Sequence, residues 1–361
     1  MSSILFTGFP GFLGTELLPR VLERAPGRSA VCLVQRRYAE LAAHRTEELV
    51  TDDPSLTGRI HLQEGDIAEP GLGMTSIRRI ERETTEIYHL AAVYDLEVSR
   101  KIGIRVNVEG TRRILRLAER CPRLERLHYV STCYVSGRYD GTFRESDLDV
   151  GQSFNNHYEE TKFLAEVEVG AAVNGGLPAT VYRPAIVVGD SRTGVTQKYD
   201  GPYYLIRFLL RQPRFAVMPV VGNPMRTHVT LAPSDAVIAA ITYLSGLEAS
   251  DGRVYQLADP DPPTVNEMLH LLERATRKRI LRLRFPVGLA KSALRAPPIR
   301  RATGIPAALV DYFNHPTVYS TERARADLEG RGIEIPTFSS YAERLVSFVA
   351  ENPDVGSEAM A

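Results

Sequence analysis

Short apolar runs alternate with longer segments of helical periodicity through the first half of the chain. The apolar runs are of strand length, and in the segments between them apolar residues recur every three or four positions. Strands separated by helices of this length are typical of a parallel sheet covered by helices on both faces. The expected fold class is therefore α/β with a doubly wound parallel sheet. The pattern predicts strands at 4–7, 30–34, 60–64, 86–90, 126–131 and 179–182, and helices at 14–24, 38–49, 106–120 and 158–171.

The second half of the chain is less regular. Loops are predicted at 190–201, which is rich in Gly, Asp, Ser and Thr, and at 213–225, which is punctuated by proline. The remaining segments predict a helix at 203–210, a strand at 227–231, a helix at 234–247, a strand at 253–257 and a proline-interrupted helical pattern from 264 onward. We expect two domains: a main sheet domain of 1–190 plus about 226–258, and a smaller, mostly helical substrate-binding region of about 191–225 plus 259–361.

Composition narrows the class of protein. Lys and Arg total 44, as do Asp and Glu, so the formal net charge is zero and no overall field draws the chain to nucleic acid or anionic lipid. The three cysteines, Cys32, Cys121 and Cys133, form no C-x-x-C pair and lack zinc-ligand spacing, which predicts a reducing compartment and no metal site. Three residues precede the first strand and no run of about 18 apolar residues occurs, so we expect no leader, no membrane span and a cytoplasmic location.

The first predicted strand runs directly into a glycine-rich turn, and a helix follows. Gly8 permits a tight turn, Gly11 lets the backbone approach a pyrophosphate, and Gly14 lets the helix pack against the strand. The helix N-terminus offers N–H groups and a positive dipole end to phosphate. We therefore predict that a dinucleotide binds at Gly8, Phe9, Pro10, Gly11, Phe12, Leu13 and Gly14.

The residues after the second strand bear on which dinucleotide binds. An Asp or Glu there would hold a ribose 2′-hydroxyl, whereas an Arg accommodates a 2′-phosphate. The sequence has Arg36 and Arg37 and no carboxylate at this point. Because the planar guanidinium binds phosphate well, we predict NADP(H) rather than NAD(H) as the cofactor.

Further motifs follow in a fixed order along residues 1–260. Asp66-Ile67 follows the third strand, Leu90-Ala91-Ala92 follows the fourth, Asn107 begins the next helix, and Ser131-Thr132 follows the fifth strand. In this order, ending with Tyr158-x-x-x-Lys162 and Arg183-Pro184, the chain resembles the extended short-chain dehydrogenase/reductase family. The resemblance implies a Rossmann fold. It also implies cofactor contacts from Asp66, Ile67, Leu90, Ala91, Ala92, Asn107, Tyr158, Lys162, Pro184, Ala185, Ile186 and Val187.

The spacing of Tyr158 and Lys162 suits acid–base chemistry. On a helix, residues four apart lie on one face, one turn from each other. A phenol has a pKa of about 10, and a neighbouring ammonium and an oxidised nicotinamide would both lower it. Tyr158 would then exchange a proton with a carbonyl oxygen while Lys162 also holds the nicotinamide ribose. Thr132 would orient that oxygen, Ser131 is the second candidate for this role, and Asn107 would support the lysine.

The reaction itself is less narrowly defined. Cys133-Tyr134 stands where sugar-nucleotide dehydratases carry Asp-Glu, and the segment after Arg183 resembles the branch of fatty acyl-CoA reductases and terminal reductase domains of peptide and polyketide synthases. This implies NADPH-dependent reduction of a small-molecule acyl thioester or keto-acyl carbonyl. A nucleotide-sugar epimerase or dehydrogenase is the alternative. A non-catalytic NADP-binding regulator is disfavoured because it has no use for the Tyr, Lys and Thr together. The resemblance also implies a homodimer through the helices at 106–120 and 158–171.

Overall fold

The computed structural model describes residues 2–74 and 76–356. Its strands are β1 (Ser3–Thr7), β2 (Ser29–Val34), β3 (Ile60–Glu64), β4 (Thr84–His89), β5 (Arg126–Val130), β6 (Gly141–Phe143), β7 (Ala179–Pro184), β8 (Ile186–Val188), β9 (Phe215–Val220), β10 (Leu231–Pro233), β11 (Val254–Leu257), β12 (Arg279–Arg284) and β13 (Thr317–Tyr319). Its helices are α1 (Phe12–Arg24), α2 (Ala39–Asp52), α3 (Arg78–Glu83), α4 (Arg100–Gly103), α5 (Glu109–Glu119), α6 (His157–Asn174), α7 (Tyr203–Leu210), α8 (Ser234–Ser245), α9 (Val265–Thr276), α10 (Val287–Arg295), α11 (Pro297–Thr303), α12 (Leu309–Tyr312), α13 (Glu322–Leu328) and α14 (Phe338–Glu351).

Seven of the described strands form one parallel sheet in the order β11-β7-β5-β4-β1-β2-β3. The strand order reverses between β1 and β4, because the chain builds outward first on one side of β1 and then on the other. In open α/β sheets, ligands bind at such a reversal, outside the carboxyl ends of the strands. The predicted doubly wound Rossmann sheet is confirmed.

Successive side chains of the central strand enter different cores. Ile4 and Phe6 pack into the core on one face of the sheet, and Leu5 packs into the core on the other. This alternation follows from the two-residue period of a strand, and both faces are apolar because helices cover both. β1 and β4 are buried along their whole length for this reason.

A second core lies in the later part of the chain, where α7, α9 and α14 pack together beside β9 and β12. The sequence analysis predicted a loop at 213–225, but this segment contains β9. It also predicted a wholly helical pattern after 264, but that segment contains β12, which pairs with β9 in parallel. The predicted strand at 227–231 was wrong as well, because the regular strand is β10, which pairs with β8.

The chain returns to the main core near its end. β13 pairs with β6 in parallel, and α13 packs against β11 and α8. Tyr319, Ala324 and Leu328 are buried in the same core as Phe6. The last quarter of the sequence therefore contributes to both cores.

Candidate functional site

The glycine-rich turn between β1 and α1 is tightly packed. Gly8 has a φ of +93°, and a Cβ there would lie 2.8 Å from the Leu90 Cβ. A Cβ on Gly14 would overlap the carbonyl oxygen of Gly8. The Gly11 N–H donates to that same oxygen at 2.9 Å. Side chains at these positions would fill or break the turn, so the roles predicted for Gly8 and Gly14 have a geometric basis.

Helix α1 presents its N-terminus to a cleft. The helix begins at Phe12, and its N-cap Gly11 has no side chain to cap it. The N–H groups of a first helical turn have no acceptor within the helix, and Phe12, Leu13 and Gly14 line the cleft. This cradle fits the pyrophosphate of a dinucleotide, which would accept these hydrogen bonds at the positive end of the helix dipole.

The cleft has a volume of about 840 Å³, within the usual size of a ligand site. It joins the glycine turn to the residues that follow β4, β5 and β7 and to the start of α6. Most of the predicted site residues meet there: Gly8, Pro10, Gly11, Phe12, Leu13, Gly14, Leu90, Ala91, Ala92, Ser131, Thr132, Tyr158, Lys162, Pro184, Ala185, Ile186 and Val187.

Lys162 lies on α6 and is buried, and residues of β5 accept the hydrogen bonds of its ammonium. The Nζ donates to the Tyr129 hydroxyl at 3.0 Å and to the Val130 carbonyl oxygen at 2.8 Å, and it lies 4.5 Å from the centre of the Tyr129 ring. Burial lowers the pKa of Lys162 to about 7, and the Glu166 carboxylate opposes this. Small changes in its surroundings therefore decide its charge near neutral pH.

Tyr158 lies half-buried one helical turn before Lys162. Burial raises the pKa of its phenol above the ordinary value, although a hydrogen bond with Thr132 lowers it. We expected a lowered pKa from the neighbouring lysine, and the structure corrects this: loss of hydration dominates, and the negative charges of Glu159 and Asp200 act in the same direction. The phenol is therefore protonated at neutral pH and can act as a proton donor.

The two hydroxyls after β5 have different surroundings. Ser131 donates to the Glu166 carboxylate, which also accepts from the Arg183 Nε at 2.8 Å. All three side chains are buried, so the Ser131 hydroxyl belongs to an internal ion-pair cluster. The Thr132 hydroxyl lies toward Tyr158, accepts from the Tyr134 N–H at 3.3 Å and donates to the Pro184 carbonyl at 3.4 Å.

Asn107 lies outside the lining of the cleft. It sits in a π-helical turn, Ile104–Val108, that leads into α5. Its side-chain amide donates to the Val93 carbonyl and to the Thr161 hydroxyl at 3.0 Å each, and its oxygen accepts from the Val93 N–H at 2.9 Å. Asn107 thus ties the loop after β4 to the helix that carries Lys162.

Five other predicted residues lie outside the cleft lining. Asp66 accepts from the Ala68 N–H at 2.8 Å and so stabilises the turn after β3, and Ile67 is buried against Gly110. Phe9 is buried beneath the glycine turn. Arg36 and Arg37 are exposed in a short 3₁₀ turn after β2, and the Arg37 guanidinium stacks 4.8 Å from the centre of the Tyr38 ring. The structure does not bring these residues into the cleft wall.

Other residues of the cleft are not among the site residues that the sequence predicts. Arg45 of α2 lies near the glycine turn, on a helix whose periodicity alone carried no functional signal. On the substrate side, the Lys198 Nζ donates to the Tyr94 hydroxyl at 2.9 Å and pairs with the Asp200 carboxylate at 2.6 Å. Lys198 and Asp200 come from the polar segment predicted as a loop, and a wall of Tyr204, Pro306, Leu309 and Tyr312 completes this side.

Within residues 2–74 and 76–356, no helix combines the length and apolar character needed to cross a bilayer. Over the same ranges, no group of three or more His, Cys, Asp or Glu side chains is arranged to hold a metal ion.

Comparison with known proteins now decides the family. An NAD-binding family model described as "Male sterility protein" matches residues 6–241. The chain belongs to the male sterility protein family. This makes it an extended short-chain dehydrogenase/reductase, a family of NAD(P)-dependent oxidoreductases, as its motifs predicted. The glycine turn and the family together identify a nicotinamide dinucleotide as the cofactor.

Relatives of this male sterility family member include reductases. Fatty acyl-CoA reductase wat of Drosophila melanogaster is 28% identical over 55% of this chain and 46% of its own length. Nonribosomal peptide synthetase asaC of Aspergillus flavus is 26% identical over 72% of this chain, which spans 26% of that synthetase. The terminal R domain of the myxalamid PKS-NRPS pathway has a TM-score of 0.83 and 28% identity, covering 98% of this chain and 91% of that domain. This chain therefore spans about a quarter of the curated synthetase that it matches.

Proposed function

We propose that the chain reduces the carbonyl of an acyl thioester or keto-acyl substrate with NADPH, with Tyr158 as the proton donor. The observation that carries the proposal is the protonated Tyr158 phenol, hydrogen-bonded with Thr132 and one helical turn from Lys162 in the cleft that the glycine turn lines. The named activities of the relatives, fatty acyl-CoA reductase among them, support the substrate class.

The cofactor would be held along the carboxyl edge of the sheet. The N-terminus of α1 would bind its pyrophosphate, Lys162 its nicotinamide ribose, and Pro184 and Ile186 would lie along the nicotinamide. Arg36 and Arg37 after β2, together with Arg45 in the cleft lining, favour a 2′-phosphate and hence NADP(H) over NAD(H). When bound, the reduced cofactor supplies a hydride to the carbonyl carbon.

Two side chains of the protein would bind the substrate carbonyl oxygen and supply its proton. Thr132 donates a hydrogen bond to the carbonyl oxygen, and Tyr158 gives that oxygen a proton as negative charge develops on it. With a thioester, the resulting hemithioacetal separates into an aldehyde and a thiol, so one NADPH and one proton are consumed for each thiol released. The positive charge of the Lys162 ammonium would stabilise the Tyr158 phenolate left by this transfer, and the phenolate would take its replacement proton from solvent before the next turnover.

The test is NADPH oxidation by the purified protein with a medium-chain and a long-chain acyl-CoA, with free thiol measured in parallel. NADPH loss matched by free CoA, and absent with NADH, supports both the reaction and the cofactor. Tyr158→Phe is expected to keep NADPH affinity and to lower kcat by roughly a hundredfold or more, because only the proton donor is lost. Unchanged turnover in this variant would refute the mechanism.

A nucleotide-sugar epimerase or dehydrogenase is the second candidate. The UDP-glucuronic acid 4-epimerase of Bacillus cereus has a TM-score of 0.66 over 99% of both chains, but at 18% identity this likeness concerns the fold alone. An epimerase would be purified with its cofactor already bound and would consume no NADPH. A non-catalytic regulator would bind NADPH and release no thiol with any acyl donor.

A homodimer remains part of the proposal. The outer faces of α5 and α6 pack side by side, and Arg112 of α5 pairs with Glu168 of α6 at 2.6 Å. Two such helices from each subunit would form a four-helix contact. Sedimentation equilibrium of the purified chain distinguishes this dimer from a monomer.

A further inference from the structure

The β9–β12 ribbon has an apolar outer face. Alternate residues of β9 point inward and are buried, and the others are exposed. In the parallel register Val217 stands beside Leu281 and Pro219 beside Leu283, so these exposed apolar side chains of the two strands share one side. Phe215 is 70% exposed and Leu281 is 60% exposed. The ribbon face, as we call it, consists of Phe215, Val217, Pro219, Leu281 and Leu283.

The zero net charge of the chain conceals a strong separation of charge. Residues 274–310 contain ten Lys and Arg residues and no Asp or Glu, so the rest of the chain has a formal net charge of −10. Arg282, Lys291 and Arg300 of this segment pair with carboxylates. Six exposed arginines of this segment form no side-chain hydrogen bond or ion pair within the described residues: Arg274, Arg277, Arg279, Arg284, Arg295 and Arg301.

The basic segment extends from the ribbon face to the mouth of the cleft. After β12 comes α10, which buries Ala290 and leaves Leu289 57% exposed. α11 follows, and its Arg300 lines the cleft, as does Pro306 just beyond it. Exposed apolar side chains and unpaired cations therefore recur along the chain between the ribbon face and the cleft residues Arg300 and Pro306.

We propose that the ribbon face and the arginines around it bind an anionic phospholipid surface. Aliphatic and aromatic side chains between the arginines would enter the boundary between headgroups and acyl chains, while the guanidiniums bind lipid phosphates. Charge complementarity supports this occupant, because each cation near an anionic leaflet adds to the attraction. The net negative remainder of the chain orients the molecule with this side toward the lipid.

Three other occupants fit the same face less well. A second copy of this chain, related by a two-fold axis, would bring the unpaired arginines against one another. A nucleic acid would satisfy the arginines and leave the apolar side chains in water. A folded acidic protein would need apolar groups arranged to match the ribbon, whereas a bilayer needs no such match.

Binding to an anionic bilayer would place the proposed reductase beside a source of its substrate. If the substrate is a long-chain acyl derivative, this orientation places the mouth of the cleft near the bilayer in which such chains partition. This consequence rests on the proposed function, but lipid binding does not. The two are separated by measuring lipid binding without substrate and turnover without lipid.

The experiment is flotation of the full chain with vesicles of phosphatidylcholine, alone or with about 30% phosphatidylserine. We expect binding only to the anionic vesicles, weakened by salt. Arg277→Gln/Arg279→Gln/Arg284→Gln should weaken the partition coefficient roughly a hundredfold. Phe215→Ser/Leu281→Ser should weaken it by about tenfold or more.

Matched controls are Arg123→Gln, an exposed arginine far from the patch in sequence, and Ile102→Ser, a residue of α4 that is 51% exposed. Both should bind vesicles as the unaltered chain does. The patch variants should retain turnover with a soluble short-chain acyl-CoA, which would separate loss of lipid binding from misfolding.

Four outcomes would overturn the proposal. They are failure to bind anionic vesicles, equal binding to neutral vesicles, equal loss in the control variants, and full binding by Phe215→Ser/Leu281→Ser. Binding of duplex DNA without vesicle binding would assign the arginines to nucleic acid. Binding of an acidic carrier protein, lost in the patch variants and without vesicle binding, would assign the face to a protein partner.

Discussion

The charge of a single buried amine controls much of the candidate chemistry. Lys162 has few polar neighbours, and the Tyr129 hydroxyl is one of the two acceptors of its hydrogen bonds. Removal from water favours the neutral amine, whereas the Tyr129 oxygen and the Glu166 carboxylate favour the ammonium. The residue therefore titrates close to the pH at which the protein would work.

The first prediction concerns pH and Tyr129. The Lys162 ammonium is present below its pKa of about 7 and lost above it, so kcat/KM for NADPH-dependent reduction should fall as pH rises through about 7. Tyr129→Phe removes an acceptor of the ammonium and should shift this falling limb to lower pH by roughly one unit. The measurement is kcat/KM between about pH 6 and about pH 9.

Tyr182→Phe is the matched control for this prediction. Tyr182 is buried on the neighbouring strand, and its hydroxyl pairs with the His128 Nδ1 at 3.2 Å rather than with Lys162. Its variant should show any general effect of losing a buried hydroxyl, without a shift of the limb. An equal shift in both variants would assign the effect to packing and remove Tyr129 from any role in positioning the lysine.

At the residue scale, sequence spacing predicts the candidate site but does not distinguish its two hydroxyls. The four-residue spacing of Tyr158 and Lys162 is enough to place both side chains on one helix face. The difference between Ser131 and Thr132 depends on Glu166 and Arg183, which approach only when α6 and β7 flank the end of β5. Burial, which sets the direction of the Tyr158 pKa, also depends on the complete fold.

At the scale of the elements, the junction of β1 and α1 restricts which residues its sequence can contain. Gly14→Ala would force a methyl group into the Gly8 carbonyl oxygen, which is backbone and cannot rotate away. We expect the unfolding free energy to fall by about 2 kcal/mol and NADPH affinity to weaken by about tenfold or more, because the phosphate cradle must shift. Since the chain has no Trp, circular dichroism should follow the denaturant titration.

Gly170→Ala provides a contrast on another helix. Gly170 lies within α6, and a Cβ there would meet nothing within 4 Å. The same substitution should leave NADPH affinity unchanged and raise the unfolding free energy by up to about 1 kcal/mol, because Ala is the better helix former. If both variants lose stability and affinity alike, the overlap at Gly14 is not what constrains the turn.

Elements that depend on local periodicity were predicted well, and those that depend on distant pairing were not. The strands of the main sheet are apolar runs flanked by amphipathic helices, so each strand can be recognised from its local sequence. β9 contains a proline, and half of the residues of β12 are arginines. Neither sequence therefore resembles a strand when it is considered by itself. Each is a strand because the other lies beside it.

The whole molecule is held together by a late return of the chain. Leu328 of α13 is buried in the core that contains Phe6 of β1, although the two residues are far apart in sequence. Leu328→Ala should lower the unfolding free energy by about 2–4 kcal/mol, because the cavity opens in the main core. The transition should be monitored by circular dichroism and by NADPH fluorescence, so that damage to the cofactor site is seen directly.

Leu289→Ala is the control for Leu328, since Leu289 is 57% exposed. It should change the unfolding free energy by no more than about 0.5 kcal/mol. Equal stabilities for the two variants would mean that α13 is not part of the main core. That result would favour the predicted division of the chain, in which 259–361 belong only to the substrate-binding region. It would count against the assignment of Tyr319 and Leu328 to the main core.

This late return has a consequence for synthesis. By the time a ribosome has added Leu257, every strand of the central sheet has been translated, yet the flank of β11 still lacks α13. The growing polypeptide would therefore expose an apolar sheet flank through much of the remaining translation, which is the state in which nascent chains aggregate or recruit chaperones. Translation of α13, rather than completion of the sheet, is then the step after which the nucleotide-binding half can close.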